Sequence, residues 1–187
     1  MKKNGLACFQ AVICLLLVLQ CHAAYGVQPT EDLPPAKFAL PAPESAQVQK
    51  YLGLKAMGPF SVSDIKAKLV VIEFLSALCP QCHVNAPVVN RLYKMMREDA
   101  GLADVKLIGI AVGTEKPQLD AYKKNFKVPF PIFLDENFAI SASMDGVATP
   151  TTMIVSAKDG KVLASHVGVI KDFDGFLKEL RALHKKQ

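Results

Sequence analysis

The sequence has no large charge of either sign. Its net charge is +5, from 22 basic and 17 acidic residues, and Lys and Arg never run longer than two. A nucleic-acid partner, which needs a clustered basic surface, is therefore not indicated. Long apolar runs are also scarce. One stretch, Leu6 to Leu19, is apolar at every position but Gln10, and it falls short of the ~20 residues of a comfortable membrane span. Tryptophan is absent, and cysteine is limited to five residues. Five thiols cannot all pair within one secreted monomer, so their positions must be sorted first. The 51% hydrophobic and 21% charged content excludes wholesale disorder, and 187 residues suit one full-sized domain.

The order of features at the start resolves most of the cysteines. Lys2 and Lys3 precede the apolar stretch, and Cys21-His22-Ala23 and Ala24-Tyr25-Gly26 follow it with small residues. Basic, apolar, then small is the order of a secretory signal peptide, here residues 1–26 with cleavage between Ala23 and Gly26. Two alternatives stay open. Leu19-Gln20-Cys21 faintly matches a lipoprotein site with lipid on Cys21, and an uncut segment would tether the protein to a membrane. All three place the domain in the periplasm or another extracytoplasmic space. All three also remove Cys8, Cys14 and Cys21 from its thiol count, leaving Cys79 and Cys82.

Residues 27–57 read as a Pro-rich linker and N-terminal extension, with Pro29, Pro34, Pro35, Pro41 and Pro43 keeping the chain extended. Residues 58–187 form the folded domain. Leu69 to Leu75 is a nearly continuous apolar run, as a strand covered on both faces requires. Residues 82–99 suit a helix with Val84, Val88, Leu92 and Met95/Met96 as its apolar stripe. Val105 to Val112 is a second strand. Thr114 can cap a helix carrying Leu119, Tyr122 and Phe126 on one face. Phe130 to Leu134 is a short strand. Thr151–Ser156 and Lys161–Val167 flank the turn Lys158-Asp159-Gly160. Asp172 can cap a last helix that buries Phe173, Phe176, Leu177, Leu180 and Leu183. The alternation predicts an α/β fold around one mixed sheet.

Cys79-Pro80-Gln81-Cys82 follows the apolar strand and opens a helix. Two thiols three residues apart on a first helical turn can close a disulfide with little backbone movement. The first also lies at the positive helix end, which favours thiolate. Cys79 is then the exposed nucleophile, and Cys82 resolves the mixed disulfide. Pro80 suits the first turn because it has no N–H to satisfy. Glu73, six residues earlier within the apolar strand, either faces water on a half-exposed strand or, as its apolar flanks favour, is a buried carboxylate with a raised pKa and a candidate proton acceptor for Cys82. Two other chemistries compete. Zinc needs about four ligands, and no second C-x-x-C exists. With His83 the motif also spells C-x-x-C-H, the c-type haem attachment pattern of an electron-transfer protein. His83 is either a solvated helix residue or, one turn from Cys79, a cation that holds the thiolate. Pro87 should kink the helix, and Pro150 is either an ordinary turn residue or a functional cis-proline.

Taken together, residues 58–183 resemble the thioredoxin superfamily, specifically its exported TlpA-like or redoxin branch. The resemblance rests on Phe60 to Lys68, the strand Leu69 to Phe74, Cys-Pro-Gln-Cys, Pro87, and Thr149-Pro150-Thr151-Thr152 ahead of a strand. It implies a thioredoxin-like fold with an inserted strand–helix unit at 105–126. It also implies thiol–disulfide exchange with protein substrates and a redox partner protein, by a monomer without cofactor or metal, often in cytochrome c maturation. Pro150 becomes a cis-proline that packs on the disulfide, and Thr149, Pro80 and Gln81 contact the substrate. Leu78 stands where many members carry Trp, so the docking surface differs. A peroxiredoxin-like peroxidase shares the fold. It requires Thr and Pro where this chain has Ser76 and Ile72.

Overall fold

The computed structural model describes residues 33–187. The signal-peptide reading of residues 1–26 lies outside the described residues. In chain order the elements are β1 (Ala39–Leu40), α1 (Ala46–Leu52), β2 (Phe60–Ser61), β3 (Leu69–Leu75), α2 (Pro80–Glu98), β4 (Val105–Val112), α3 (Lys116–Phe126), β5 (Ile132–Asp135), α4 (Ala139–Ala142), β6 (Thr151–Ser156), β7 (Val162–Val167) and α5 (Phe173–Lys186). No helix among the described residues is long and apolar enough to cross a membrane.

Five strands form one mixed sheet in the order β5-β4-β3-β6-β7. β3 runs parallel to β4 and antiparallel to β6, and β4 runs parallel to β5. Every residue of β3 is buried, which explains its unbroken apolar sequence. Successive side chains of a strand point to opposite faces. Leu69, Val71 and Leu75 enter one core with α2 and α5, and Val70, Ile72 and Phe74 enter the other. Glu73 shares the face of Leu69, Val71 and Leu75, so its carboxyl points toward α2. In register beside it, Gly109 of β4 has no side chain, and a Cβ there would come within 2.8 Å of Ile132. The strand at 105–112, expected as part of an insertion, pairs with β3 from Val105 to Ala111, and β5, reached through α3, extends the sheet beyond it.

The second face of the sheet is covered by residues expected to be linker. Ala36, Phe38, Leu40, Leu52 and Leu54 are buried there against Val70, Ile72, Phe74, Ile108 and Ile110. Phe38 meets Phe74 edge-on at 6.5 Å, and Ala36 N–H donates to the Gly160 carbonyl at 2.7 Å. The prolines keep this segment extended, but its apolar residues belong to the domain. Among the described residues, 36–57 are therefore part of the folded body together with 58–187. The unforeseen α1 is capped by Ser45, whose side chain accepts from Val48 N–H at 3.2 Å.

Two local expectations also shift. The buried side of α2 carries Cys82, Asn85, Ala86, Val89, Leu92 and Met96, while Val84 is 57% exposed. The stripe read through Val84 and Val88 is rotated because a cysteine and an asparagine occupy two inward positions. Thr114 does not cap α3. Glu115 does, through a capping box with Gln118, while Thr114 accepts from Ala77 N–H at 3.1 Å and donates to the Val112 carbonyl. Pro87 sits on an exposed position of an α2 that continues unbroken to Glu98. The hairpin of β6 and β7 and the Asp172 cap of α5 match the sequence reading.

Leu52→Ala tests the new boundary. Removing this fully buried side chain should cost about 2–5 kcal/mol in chemical denaturation. A loss under about 0.5 kcal/mol would show that residues 36–57 are an appendage.

Candidate active site

Cys79 is the N-cap of α2 and Pro80 its first residue. The strand-to-helix turn that presents Cys79 is anchored through Ala77 to Thr114. Cys79 is half-buried and Cys82 has no exposure; both are free thiols. The Thr149–Pro150 peptide bond is cis. Its loop sets the Thr149 carbonyl 3.3 Å from Cys79 Sγ, which donates to it, while Pro150 is itself buried. Pro80 and Gln81 are exposed at the helix start. Gln81 also borders a groove of about 550 Å³ shared with Val167, Ile170, Phe176 and the His166–Glu179 pair. Leu78 is 69% exposed beside Cys79. The structure thus sets Thr149 against Cys79 and leaves Pro80 and Gln81 open beside it.

The two thiols differ electrostatically. Partial burial works against ionisation of Cys79, but hydrogen bonds from the Cys82 side chain and amide, the Thr149 side chain and the Gln81 amide outweigh it and lower its pKa. Burial pushes Cys82 up to about 12, and the neighbouring Cys79 adds to the rise although Ser76 N–H donates to its sulfur at 3.4 Å. Near neutral pH, Cys79 is the thiol that supplies thiolate and Cys82 holds its proton.

Glu73 is 1% exposed, and burial raises its pKa to about 7. Two hydrogen bonds oppose that rise. Asn85 Nδ2 donates to Oε1 at 2.9 Å, and Thr152 Oγ1 donates to Oε2 at 2.7 Å. Asn85 follows Cys82 by three residues, so Glu73 is held by the helix face that carries the buried thiol. The Asn85 carbonyl oxygen accepts from Ile170 N–H at 3.0 Å, and Gly168 N–H donates to the Pro150 carbonyl at 2.7 Å. One loop, 168–170, therefore holds both the carboxylate network and the cis-proline.

Asn85, Thr152 and Tyr122 escaped the sequence reading as site residues. Tyr122 donates to the Cys82 carbonyl at 3.2 Å and is buried over the site. Asn85 left one signal, a polar residue within an otherwise apolar helix face. Thr152 left none, because only strand register places it opposite Glu73. His83 does not hold the thiolate. Its Nε2 donates to the Ala77 carbonyl at 2.7 Å, and its ring packs on Phe126. The C-x-x-C-H reading needs both thiols and His83 open to one macrocycle. The fully buried Cys82 and the engaged His83 do not fit a covalently attached haem.

The sequence pattern of the AhpC/TSA family matches residues 36–165, more than half of the chain. The chain belongs to the AhpC/TSA family. The match begins where the structure first buries the N-terminal segment. Among curated relatives, this family member is 26% identical over 111 residues to the thiol-disulfide oxidoreductase ResA of Bacillus subtilis, covering 59% of each chain. It is 29% identical to the thioredoxin-like protein YneN of the same organism, over 59% of this chain and 62% of that one. The matched region thus spans about three fifths of these curated relatives. A secreted thiol-disulfide isomerase of Corynebacterium glutamicum superposes with a TM-score of 0.65 at 15% identity, over 88% of this chain and 95% of that one. A secreted disulfide oxidoreductase of Mycobacterium tuberculosis gives 0.58 at 17% identity, over 79% and 96%. These likenesses show a thioredoxin-like fold, as the sequence implied.

Because Glu73 binds its proton more tightly in the folded state, the folded chain retains that proton over a range where the unfolded chain has lost it. Stability therefore falls as pH rises from about 4.5 to 7, by roughly 3 kcal/mol. Glu73→Gln should remove that slope in denaturation measured across this range, and an unchanged slope would contradict the assignment. Asn85→Ala deletes a bond to the charged form, so the Glu73 titration should move upward, read by infrared absorption of its carboxyl band.

Proposed function

We propose that this protein is an exported thiol–disulfide oxidoreductase that exchanges disulfides with protein substrates through Cys79-Pro80-Gln81-Cys82. The observation that carries the reading is the asymmetry of the pair. A thiol with lowered pKa caps the helix, and a buried neutral thiol stands behind it with a carboxyl of pKa about 7 held beneath its helix.

In the reducing direction, Cys79 thiolate attacks one sulfur of a substrate disulfide and the other sulfur leaves as thiolate. Glu73 takes the Cys82 proton, and Cys82 attacks Cys79 Sγ. The second substrate sulfur leaves as thiolate, Cys79 and Cys82 are joined in a disulfide, and the former dithiol has given two electrons to the substrate. A redox partner protein then restores the dithiol. Oxidation of a substrate is the same path reversed. The substrate chain lies along Thr149 and Pro150, with Gln81 at its side and exposed Leu78 in place of an aromatic contact. The compartment is extracytoplasmic, reached through the N-terminal signal. Apocytochrome c disulfides are among the clients, as the TlpA-like resemblance implies, and the protein acts as a monomer.

Cys82→Ser should trap mixed disulfides on Cys79, seen as thiol-sensitive adducts on non-reducing gels. Recovery of none under oxidising conditions would count heavily against the mechanism. Glu73→Gln should slow resolution roughly 10²–10⁴-fold, the usual range for a lost general base, with first attack far less affected; equal slowing of both steps would remove Glu73 from its role. Rapid peroxide consumption that survives Cys82→Ser would instead favour the peroxidase reading.

A further inference from the structure

At the far end of α2 from the thiols lies a cavity of about 630 Å³. Arg97 follows Cys79 by eighteen residues, so about 27 Å of helix separates this cavity from the cysteines. Three aromatic rings line it in sequence. Tyr51 and Tyr93 stand 6.1 Å apart, and Tyr93 and Phe130 stand 5.9 Å apart. The Tyr51 hydroxyl is used internally, donating to the Leu107 carbonyl at 3.2 Å and accepting from Leu107 N–H at 2.9 Å. That pair of bonds fixes the ring and leaves its face to the cavity.

Four cations, Lys50, Arg97, Lys106 and Lys123, border these rings, with Glu44 as the single carboxylate. Glu44 is engaged by Lys123 at 2.8 Å. Among the described residues no carboxylate lies within ion-pair distance of Lys50, Arg97 or Lys106. Asp104, whose charge reaches Lys106, is already engaged by Lys68 and His184. The Lys106 ammonium sits 5.2 Å over the Tyr51 ring, and both burial and the nearby Arg97 charge weaken its hold on its proton. A helix C-terminus accounts for Arg97, and cover for an aromatic ring accounts for Lys106. Neither accounts for two like charges held together at a cavity with no free carboxylate.

We propose that this cavity binds an amphiphilic anion, its apolar body on the half-buried Tyr51 and Tyr93 rings and its acidic group between Arg97 and Lys106. The anion would relieve the repulsion between the two cations and cover the half-buried Tyr51 and Tyr93 rings, while Phe130 is already buried behind them. A free organic anion and the headgroup of an anionic lipid share this chemistry. The proposal is independent of the reaction at Cys79.

The test uses the full chain and anilinonaphthalene sulfonate, an aromatic sulfonate whose fluorescence reports binding. One saturable site is expected, weakened by added salt. Arg97→Gln and Lys106→Met should each weaken it roughly tenfold, the size of one lost charged contact. Arg97→Lys combined with Lys106→Arg keeps both charges and should retain binding, which separates charge loss from misfolding. Insulin disulfide reduction should be the same in all variants. Phosphatidylglycerol vesicles that displace the probe, where phosphatidylcholine vesicles do not, would identify a lipid headgroup; retention of the probe would identify a soluble anion. Absence of saturable binding, or binding equally strong in Arg97→Gln and Lys106→Met, would overturn the proposal.

Discussion

A carboxyl group inside a β-sheet is the constraint around which this fold is arranged. Glu73 sits mid-strand with almost no exposure, and burying a charge without partners is costly. Three elements satisfy it. β6 supplies Thr152 through strand register, α2 supplies Asn85, and the 168–170 loop fixes Asn85 by donating Ile170 N–H to its Oδ1. Two donated bonds hold the ionised form within reach of neutral pH, and burial holds back full ionisation. A proton acceptor for a buried thiol needs that balance.

The same arrangement separates the roles of the cysteines. A helix N-terminus reaches the surface at Cys79 and dives into the core at Cys82 within one turn. The outer thiol gathers hydrogen bonds that favour thiolate, and the inner one loses solvent. The loop carrying the cis peptide bond closes the site from the β6 side. Its Pro150 carbonyl is tied to Gly168, two residues from the amide that holds Asn85. The cis-proline loop and the Glu73 network are therefore tied to one short loop.

Much of this was legible in the residues. The unbroken apolar run of β3 announced burial on both faces, so Glu73 within it had to be buried as well. Cys79 and Cys82 stood out by spacing once the N-terminal cysteines were set aside. The N-terminal segment was misread because five prolines dominate its local pattern. Phe38, Leu40 and Leu52 show no helical or alternating run long enough to reveal that they cover the second face of the sheet. The α2 stripe was read one position off because Cys82 and Asn85 face inward without being conspicuous hydrophobes. Helical spacing leaves His83 as either a solvated residue or a companion to the thiolate. The fold offers it the Ala77 carbonyl and an aromatic neighbour instead.

By itself the sequence determined which residues could carry the chemistry: one pair of thiols, a carboxylate six residues upstream, and a Thr-Pro ahead of a strand. Spacing along the chain encodes these, because a helical turn and a strand are local structures. Only the tertiary structure decided what those groups touch. Thr152 meets Glu73 from 79 residues away, Thr149 meets Cys79 from 70, and Ile170 meets Asn85 from 85. Such contacts are set by sheet register and by packing of helix on sheet. No local pattern records them, and they set the surroundings of the two thiols and of Glu73.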